Sequence, residues 1–273
     1  MKNMKVLAIM GSPKGKGAGY KVVRTIEDRM KTMGDVEFEY LFLKDADLKP
    51  CIGCFNCVTK GEDRCPLKDA RPAIEKKILE ADGVILSSPA YVMNVSWLMK
   101  SFIDRFAYTN HRLRFFRQKV LLVANSGGSG LNETLAAMRI ALGGARVVHE
   151  LGVGTPPWPQ TIGAVAKKEK AINVAADKFH KACLDLSLPS PTFNEYMRFL
   201  IMQRVSVECR EWLPADFEFY GGKEYFYETN INPAMAAAAK TIVGLAMSMM
   251  KDMGPGQVTW PLEKKEVVPP IKN

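Results

Sequence analysis

Apolar and polar positions along the first 188 residues fall into a strand-then-helix rhythm that repeats five times. The run Val6-Leu7-Ala8-Ile9-Met10 breaks into a glycine-rich stretch, Gly11 to Gly19, and Val22, Val23, Ile26 and Met30 then follow at helical spacing. Val36, Phe38, Tyr40 and Phe42 alternate with Glu37, Glu39 and Leu41, the pattern of a strand with one wet face at a sheet edge. Gly83 to Leu86 and Lys119 to Ala124 are instead continuous apolar runs, as in strands covered on both faces. Arg146 to Leu151 reads as a fifth strand. Helical faces are expected from Ile74, Ile78 and Leu79, and from Trp97, Phe102, Ile103 and Phe106 after Ser96. A third comes from Leu131, Leu135, Met138 and Leu142, ending at Gly143-Gly144, and a fourth from Ile172, Ala176, Phe179 and Cys183.

An alternating second strand among continuous ones predicts an α/β, flavodoxin-like, doubly wound five-stranded parallel sheet in the order 2-1-3-4-5. In such a sheet a ligand sits beyond the carboxyl ends of the strands, where the order reverses. Gly11 to Gly19, Ser88 to Ser96 and Asn125 to Gly130 are therefore expected to share one site. The glycine loop can wrap backbone N–H groups round an anion at the start of the next helix, with Ser12 and Lys14 adding a hydroxyl and a charge. Its spacing matches neither the Walker loop nor the dinucleotide fingerprint, and a plain tight turn is the bland alternative.

Leu188-Pro189-Ser190-Pro191 punctuates the chain, dividing it into residues 1–188 and a mainly helical extension, 189–273. In the extension, Phe199, Met202, Val205, Cys209 and Trp212 are expected on one helix face, and Phe217 to Tyr227 reads as aromatic and turn-rich. A last helix is delimited by Asn232 as N-cap, Pro233 at the first position and Gly254-Pro255 as the stop. Its stretch from Ala234 to Met250 is apolar nearly all round, but it is short, alanine-rich and interrupted by Lys240. It is expected to be a buried helix, packed on the main domain or a second subunit, rather than a membrane span.

Composition adds an ordinary globular balance, 47% hydrophobic and 25% charged, and a formal charge of +9 that resides in the first 189 residues. The positive excess thus accompanies the expected anion cradle. His111 to Lys119 interleaves basic and aromatic residues without a nucleic-acid motif, so a solvated loop or subunit contact is expected there, not nucleic-acid binding. No leader precedes the first strand, and a cytoplasmic protein with reduced cysteines is expected.

Four of the six cysteines form C-x2-C-x2-C-x7-C: Cys51, Cys54, Cys57 and Cys65, within a loop over residues 45–69. Three thiols at three-residue intervals plus a fourth can meet at one tetrahedral centre, which favours a [4Fe–4S] cluster over zinc; free thiols that shape a loop are the remaining alternative. Lys49, Lys60 and Arg64 are expected to lower thiol pKa values. Cys183 and Cys209 are expected to be core residues.

Gly11-Ser12-Pro13-Lys14, the cysteine run, Ala81-Asp82-Gly83, Ser87 to Tyr91, and Met99 to Arg105 occur in the order found in the NADPH-dependent FMN reductase family. Within it the chain resembles the iron–sulfur flavoproteins, from about Met4 to Leu188. The resemblance implies non-covalent FMN and a homodimer or homotetramer with flavin sites near subunit contacts. It assigns Ser12, Lys14, Gly17, Ala18, Gly19 and Tyr20 to the phosphate. Pro89, Tyr91, Met93, Asn94 and Val95 would meet the ribityl chain and ring, and Ser126, Gly127 and Gly128 the pyrimidine end. Relatives carry Asn and then Ser or Thr where this chain has Ala18-Gly19, so one hydroxyl is missing and weaker FMN binding is expected.

The expected function is a flavin oxidoreductase in which NAD(P)H or a donor protein reduces FMN and the cluster passes electrons singly, with a quinone or flavin among the acceptors. The alternatives are a cluster-free NAD(P)H-dependent FMN or quinone reductase, and a non-catalytic flavin- or zinc-bearing interaction protein. No Ser/His/Asp or Cys/His arrangement accompanies these motifs.

Overall fold

The computed structural model describes residues 3–249. Among them the chain forms two compact units that divide between Pro189 and Ser190. The first contains strands β1 (Met4–Met10), β2 (Val36–Phe42), β3 (Gly83–Pro89), β4 (Lys119–Ser126) and β5 (Arg146–Gly154), all parallel, in the order β2-β1-β3-β4-β5. Its helices are α1 (Ala18–Lys31), α2 (Asn56–Thr59), α3 (Arg71–Glu80), α4 (Trp97–Arg105), α5 (Leu131–Met138) and α6 (Ile162–Cys183).

Alternation along the strands sorts the core. Met4, Val6, Ala8 and Met10 of β1 join Ile85, Leu121, Val123, Leu151 and Val153 against Val22, Val23, Ile26 and Met30 of α1 and Ile172, Ala176, Phe179 and Cys183 of α6. The alternate residues, Leu7, Ile9, Val84, Leu86, Val120 and Leu122, are equally buried, so the opposite face of the sheet is covered too. β3 and β4 are buried along their whole length, whereas β2 pairs only with β1 and leaves Glu37 and Glu39 wet. Gly83 opens β3 where the side chains of Phe179 and Cys183 press closest; a Cβ there would lie 2.6 Å from each. Burial pushes the Cys183 thiol up to about 12, as suits an inert core residue.

Several sequence expectations need correction. Leu79 and Trp97 are exposed; Ile74 with Ile78, and Leu98 with Phe102, face inward instead. α5 stops at Met138, short of Gly143: Asn110 Nδ2 donates to the Ile140 carbonyl, and the chain turns to seat Gly143 against Thr109. No side chain fits at Gly143, since a Cβ would lie 1.8 Å from the Thr109 carbonyl oxygen.

The second unit holds α7 (Phe193–Glu208), α8 (Pro214–Tyr220) and α9 (Pro233–Met249). α7 begins with a capping box, in which Thr192 Oγ1 accepts from Glu195 N while Glu195 Oε2 accepts from Thr192 N. Tyr196, Phe199, Tyr220, Tyr225 and Phe226 pack ring against ring, each large buried ring contributing roughly 1.5–3 kcal/mol. The stretch expected to be turns from Phe217 thus starts inside α8. α7 ends before Cys209, which is half-buried, and Trp212 lies exposed beyond it. Asn232 Oδ1 accepts from Ala234 N and Met235 N, capping α9 as expected. Within the chain Ala239 and Val243 of α9 are buried, while Ile242, Leu245 and Met249 are exposed. The Gly254-Pro255 stop lies outside the described residues. No helix among the described residues is long and apolar enough to cross a membrane.

Candidate functional site

Three loops meet beyond the carboxyl ends of β1, β3 and β4, where the strand order reverses, and the bonds between them are largely main-chain. Gly11 N donates to Ser87 O at 2.7 Å, and Ser96 Oγ donates to the Gly11 carbonyl. Ala90 N donates to Asn125 O at 2.8 Å, joining the loops after β3 and β4. Gly130, at φ +91°, closes the same contact, because a Cβ would lie 3.0 Å from Met93 Cα.

In the first loop Ser12 is buried, its carbonyl accepting from Gly15 N at 3.0 Å, and Gly15 takes φ +63°. Gly17 caps α1 without a side-chain hydrogen bond, so the positive end of the helix stays open beside exposed Lys14 and Ala18. Gly19 is buried; a Cβ there would lie 2.7 Å from Asn125 Oδ1 and 3.3 Å from Ser87 Oγ. The Tyr20 ring lies 5.2 Å from that of Tyr40 of β2, tilted by 53°, with Lys16 over its ring, so it packs on the edge strand.

In the second loop Tyr91 N donates to Asn94 O and Asn94 N to Tyr91 O, at 2.8 and 3.1 Å. The two residues between them, Val92 and Met93, both have positive φ, 49° and 60°. This is a mirror-image hairpin turn built without glycine, a strained choice for a β-branched residue. Val92 is 98% exposed, Tyr91 and Met93 nearly half exposed, whereas Pro89 and Val95 are buried. Asn94 Oδ1 is engaged by Val95 N at 2.8 Å. In the third loop Ser126 Oγ donates to Ser129 O and accepts from Gly128 N, leaving Gly127 and Gly128 exposed.

Sequence reasoning placed Asn125 only at the start of the third loop, with no contact of its own, yet it lies under the first turn of α1. It is 7% exposed, its Nδ2 donates to Thr155 Oγ1 at 3.3 Å, and its Oδ1 is buried without a hydrogen-bond partner. A polar residue closing an apolar strand was the available signal.

The cysteine loop is built differently. Gly53, Phe55 and Gly61 have φ of 69°, 58° and 111°, winding Cys51 to Cys57 into the one-turn helix α2 and then into a 3-10 turn at Glu62–Arg64 before Cys65. Cys51 and Cys54 are exposed; Cys57 and Cys65 are half-buried. Gly53 N donates to Cys51 Sγ at 3.5 Å. Burial pushes the Cys57 thiol up, and the charges of Cys65, Cys51 and Cys54 push it further, so the four thiols are electrostatic neighbours. The expected lowering by lysines does not apply to Cys57, and Lys49 Nζ is engaged by the Lys68 carbonyl. Among the described residues no three His, Cys, Asp or Glu side chains are gathered as a metal-binding group.

The stretch His111 to Lys119, expected to be a solvated loop or a subunit contact, turns four of its side chains inward below this loop. Arg112 is 3% exposed, and Phe115, Gln118 and Lys119 are buried. Arg112 Nη1 donates to Val58 O at 2.9 Å, and its Nη2 to Cys57 O and to Glu62 Oε2. Arg114 Nη1 bridges Glu62 at 2.6 Å and Glu75 at 2.7 Å, while Arg71 and Tyr108 bind the other oxygen of Glu75. Burial and the Glu75 carboxylate drive the Tyr108 hydroxyl far above its ordinary range, so it stays a donor.

The family model for NADPH-dependent FMN reductases matches residues 4–158. The chain belongs to that family. Curated relatives include an iron-sulfur flavoprotein of Archaeoglobus fulgidus, 34% identical over 188 residues, a match covering 63% of this chain and 90% of that protein. One of Methanocaldococcus jannaschii is 43% identical over 102 residues, 37% of this chain and 51% of the relative, so the match spans about half of that protein. One of Clostridioides difficile is 29% identical over 206 residues, covering 74% and 89%. Among solved structures, a flavone reductase matches with a TM-score of 0.52 at 17% identity, over 67% of this chain and 64% of that one. RosB with a bound 8-demethyl-8-formylriboflavin-5′-phosphate intermediate matches with a TM-score of 0.54 at 10% identity, over 99% of each chain. Both are likenesses of fold.

Against a family built on FMN, the three loops fit: an uncapped helix start beside Lys14, a glycine where no Cβ has room, and an orphaned buried amide oxygen behind it. The cysteine loop offers the donor set of an iron–sulfur group, four thiols of which Cys51 accepts an N–H···S bond, while the side chains do not converge on one centre in this structure.

Proposed function

We propose that the protein is an FMN-dependent oxidoreductase that takes electrons from NAD(P)H or a donor protein and delivers them one at a time through a [4Fe–4S] cluster. The observation that carries this reading is the convergence of the three loops at the reversal of strand order, in a chain whose family is defined by FMN reduction. Ser12, Lys14, Gly17, Ala18 and Gly19 hold the phosphate, with Tyr20 as a wall. Tyr91, Met93 and Asn94 meet the ribityl chain and ring, with Pro89 and Val95 anchoring their loop from below; Ser126, Gly127 and Gly128 face the pyrimidine end. Bound FMN supplies the exchange between two-electron and one-electron chemistry. The chain's own residues position and exclude: the Val92–Met93 turn walls the site, and the open start of α1 neutralises phosphate charge. Cys51, Cys54, Cys57 and Cys65 are the cluster ligands in this reading, supported by relatives named iron-sulfur flavoproteins. A quinone or flavin serves as acceptor, and the active form is a homodimer or homotetramer.

A second reading, a cluster-free flavin or quinone reductase, is favoured by one observation: the four thiols do not form a gathered metal-binding group. The deciding experiment is an absorption spectrum of anaerobically purified protein before and after dithionite, with iron counted per flavin. Flavin bands over a bleachable brown shoulder, with about four iron atoms per chain, support the electron-transfer reading. Flavin bands without iron or sulfide leave the simple reductase.

A further inference from the structure

The cysteine loop is divided in how it is held. Its outer half, with Cys51 and Cys54, is exposed, whereas its inner half rests on one buried guanidinium. Arg112 donates to two successive carbonyls, Cys57 O and Val58 O, and its Nη2 also reaches Glu62, whose carbonyl accepts from Cys65 N at 3.3 Å. One planar fork therefore joins the third cysteine to the turn that presents the fourth. Arg114 and Arg71 brace the same turn, through the Glu62 carboxylate and the Glu62 carbonyl. Three arginines face two glutamates here, so the cluster of side chains keeps a positive excess next to the inner thiols.

We propose that Arg112 is the positioning residue of the cysteine loop: it fixes Cys57 and Cys65 relative to one another before any inorganic group arrives, and it supplies a fixed positive charge beside that group. The outer pair, Cys51 and Cys54, then closes onto a preset inner pair. This deepens the reading of the four cysteines as a ligand set and rests on it. The buried charge favours the more negative, reduced state of whatever the thiols hold, and so raises its reduction potential.

The test is time-resolved alkylation of the full-length chain, scored cysteine by cysteine by mass spectrometry, for wild type, Arg112→Gln and Arg112→Lys. Iron content and midpoint potential are measured after reconstitution with iron and sulfide. In wild type, Cys51 and Cys54 should react fast and Cys57 and Cys65 slowly. In Arg112→Gln the inner pair should react at least about tenfold faster, the factor that one charged hydrogen bond confers, while buried Cys183 stays protected. Arg112→Lys should recover part of the protection and most of the potential, because it keeps the charge but not the fork. Arg112→Gln should take up less iron and hold it at a lower potential than Arg112→Lys.

Unchanged rates at Cys57 and Cys65 in Arg112→Gln overturn the proposal whatever the iron content. Wild type that binds no iron, with the inner pair still released in Arg112→Gln, overturns the cluster reading and upholds the positioning role. If Cys183 becomes reactive in Arg112→Gln, the fold itself has opened, and Glu62→Gln decides. Faster labelling of Cys65 in that variant upholds the link, and an unchanged rate overturns it.

Discussion

The two candidate sites of the first unit are made from different materials. The flavin-site loops are tied to one another mainly by main-chain bonds, Gly11 N to Ser87 O and Ala90 N to Asn125 O, and their shape depends on where no side chain fits, as at Gly19 and Gly130. The cysteine loop is held by side-chain charge: Arg112, Arg114 and Arg71 on Glu62, Glu75 and the carbonyls of residues 57, 58 and 62. A backbone-built site tolerates change in surface charge but not an added methyl group. An ion-built site is the reverse, and the two should fail under different substitutions.

The sharpest way to separate them is Glu75→Ala. It takes the carboxylate from Arg71, leaves Arg114 with Glu62 and the Tyr108 hydroxyl with Arg71, and should cost about 3–5 kcal/mol in urea unfolding at neutral pH, with the inner cysteines losing protection. FMN affinity per folded molecule should change little; an equal loss there would erase the distinction.

Gly19→Ala attacks the other site. Its Cβ would meet Asn125 Oδ1 at 2.7 Å, so the Asn125 side chain or α1 must shift, with an expected loss of about 1–3 kcal/mol and a larger loss of affinity for FMN than for riboflavin in fluorescence titration. Adding Asn125→Ala should restore much of both, since the colliding atom goes. Failure of that rescue would place the strain elsewhere.

Acid should loosen the cysteine loop selectively. Burial pushes the Glu62 carboxyl up, but the Arg114 hydrogen bond and the Arg114 and Arg112 charges outweigh it and hold its pKa below the ordinary 4.5. A carboxylate depressed in the folded state stabilises fully above the ordinary value, and that contribution is lost as pH falls through the folded one. Wild type should therefore exceed Glu62→Gln by about 1–2 kcal/mol at pH 7, and the gap should shrink toward zero in acid. A gap independent of pH would mean that the charge on Glu62 is idle. The smallest effect belongs to Val92→Asn, which relieves a left-handed β-branched residue at an exposed turn tip and should raise stability by about 0.5–1 kcal/mol.

This contrast also explains what the sequence made legible. Strand order and the three converging loops followed from local patterns: apolar runs, an alternating edge strand, and glycines that mark tight backbone passages. The charge network did not, because its partners lie far apart in the chain, Arg112 with Cys57 and Glu62, Arg114 with Glu75. His111 to Lys119 read as a solvated loop or a subunit contact because periodicity reports which face is apolar and not whether an arginine finds a buried carboxylate. Asn125 was hidden by the same logic, since an orphaned amide oxygen is a property of packing. Gly143 is required by its close approach to Thr109 and not as the stop of α5, which ends at Met138; that approach joins positions over thirty residues apart and leaves no local trace.

The turn from Tyr91 to Asn94 carries a kinetic consequence. Both central residues already occupy a basin that side-chain-bearing residues rarely visit, and hydrogen bonds lock both ends. In the proposed site this wall is set before a flavin arrives, so little chain freedom should vanish on capture, and the rate of association should be governed by encounter and not by loop ordering. Mixing traces would then be single exponentials whose rate climbs linearly with flavin concentration, without the plateau that a closing lid imposes.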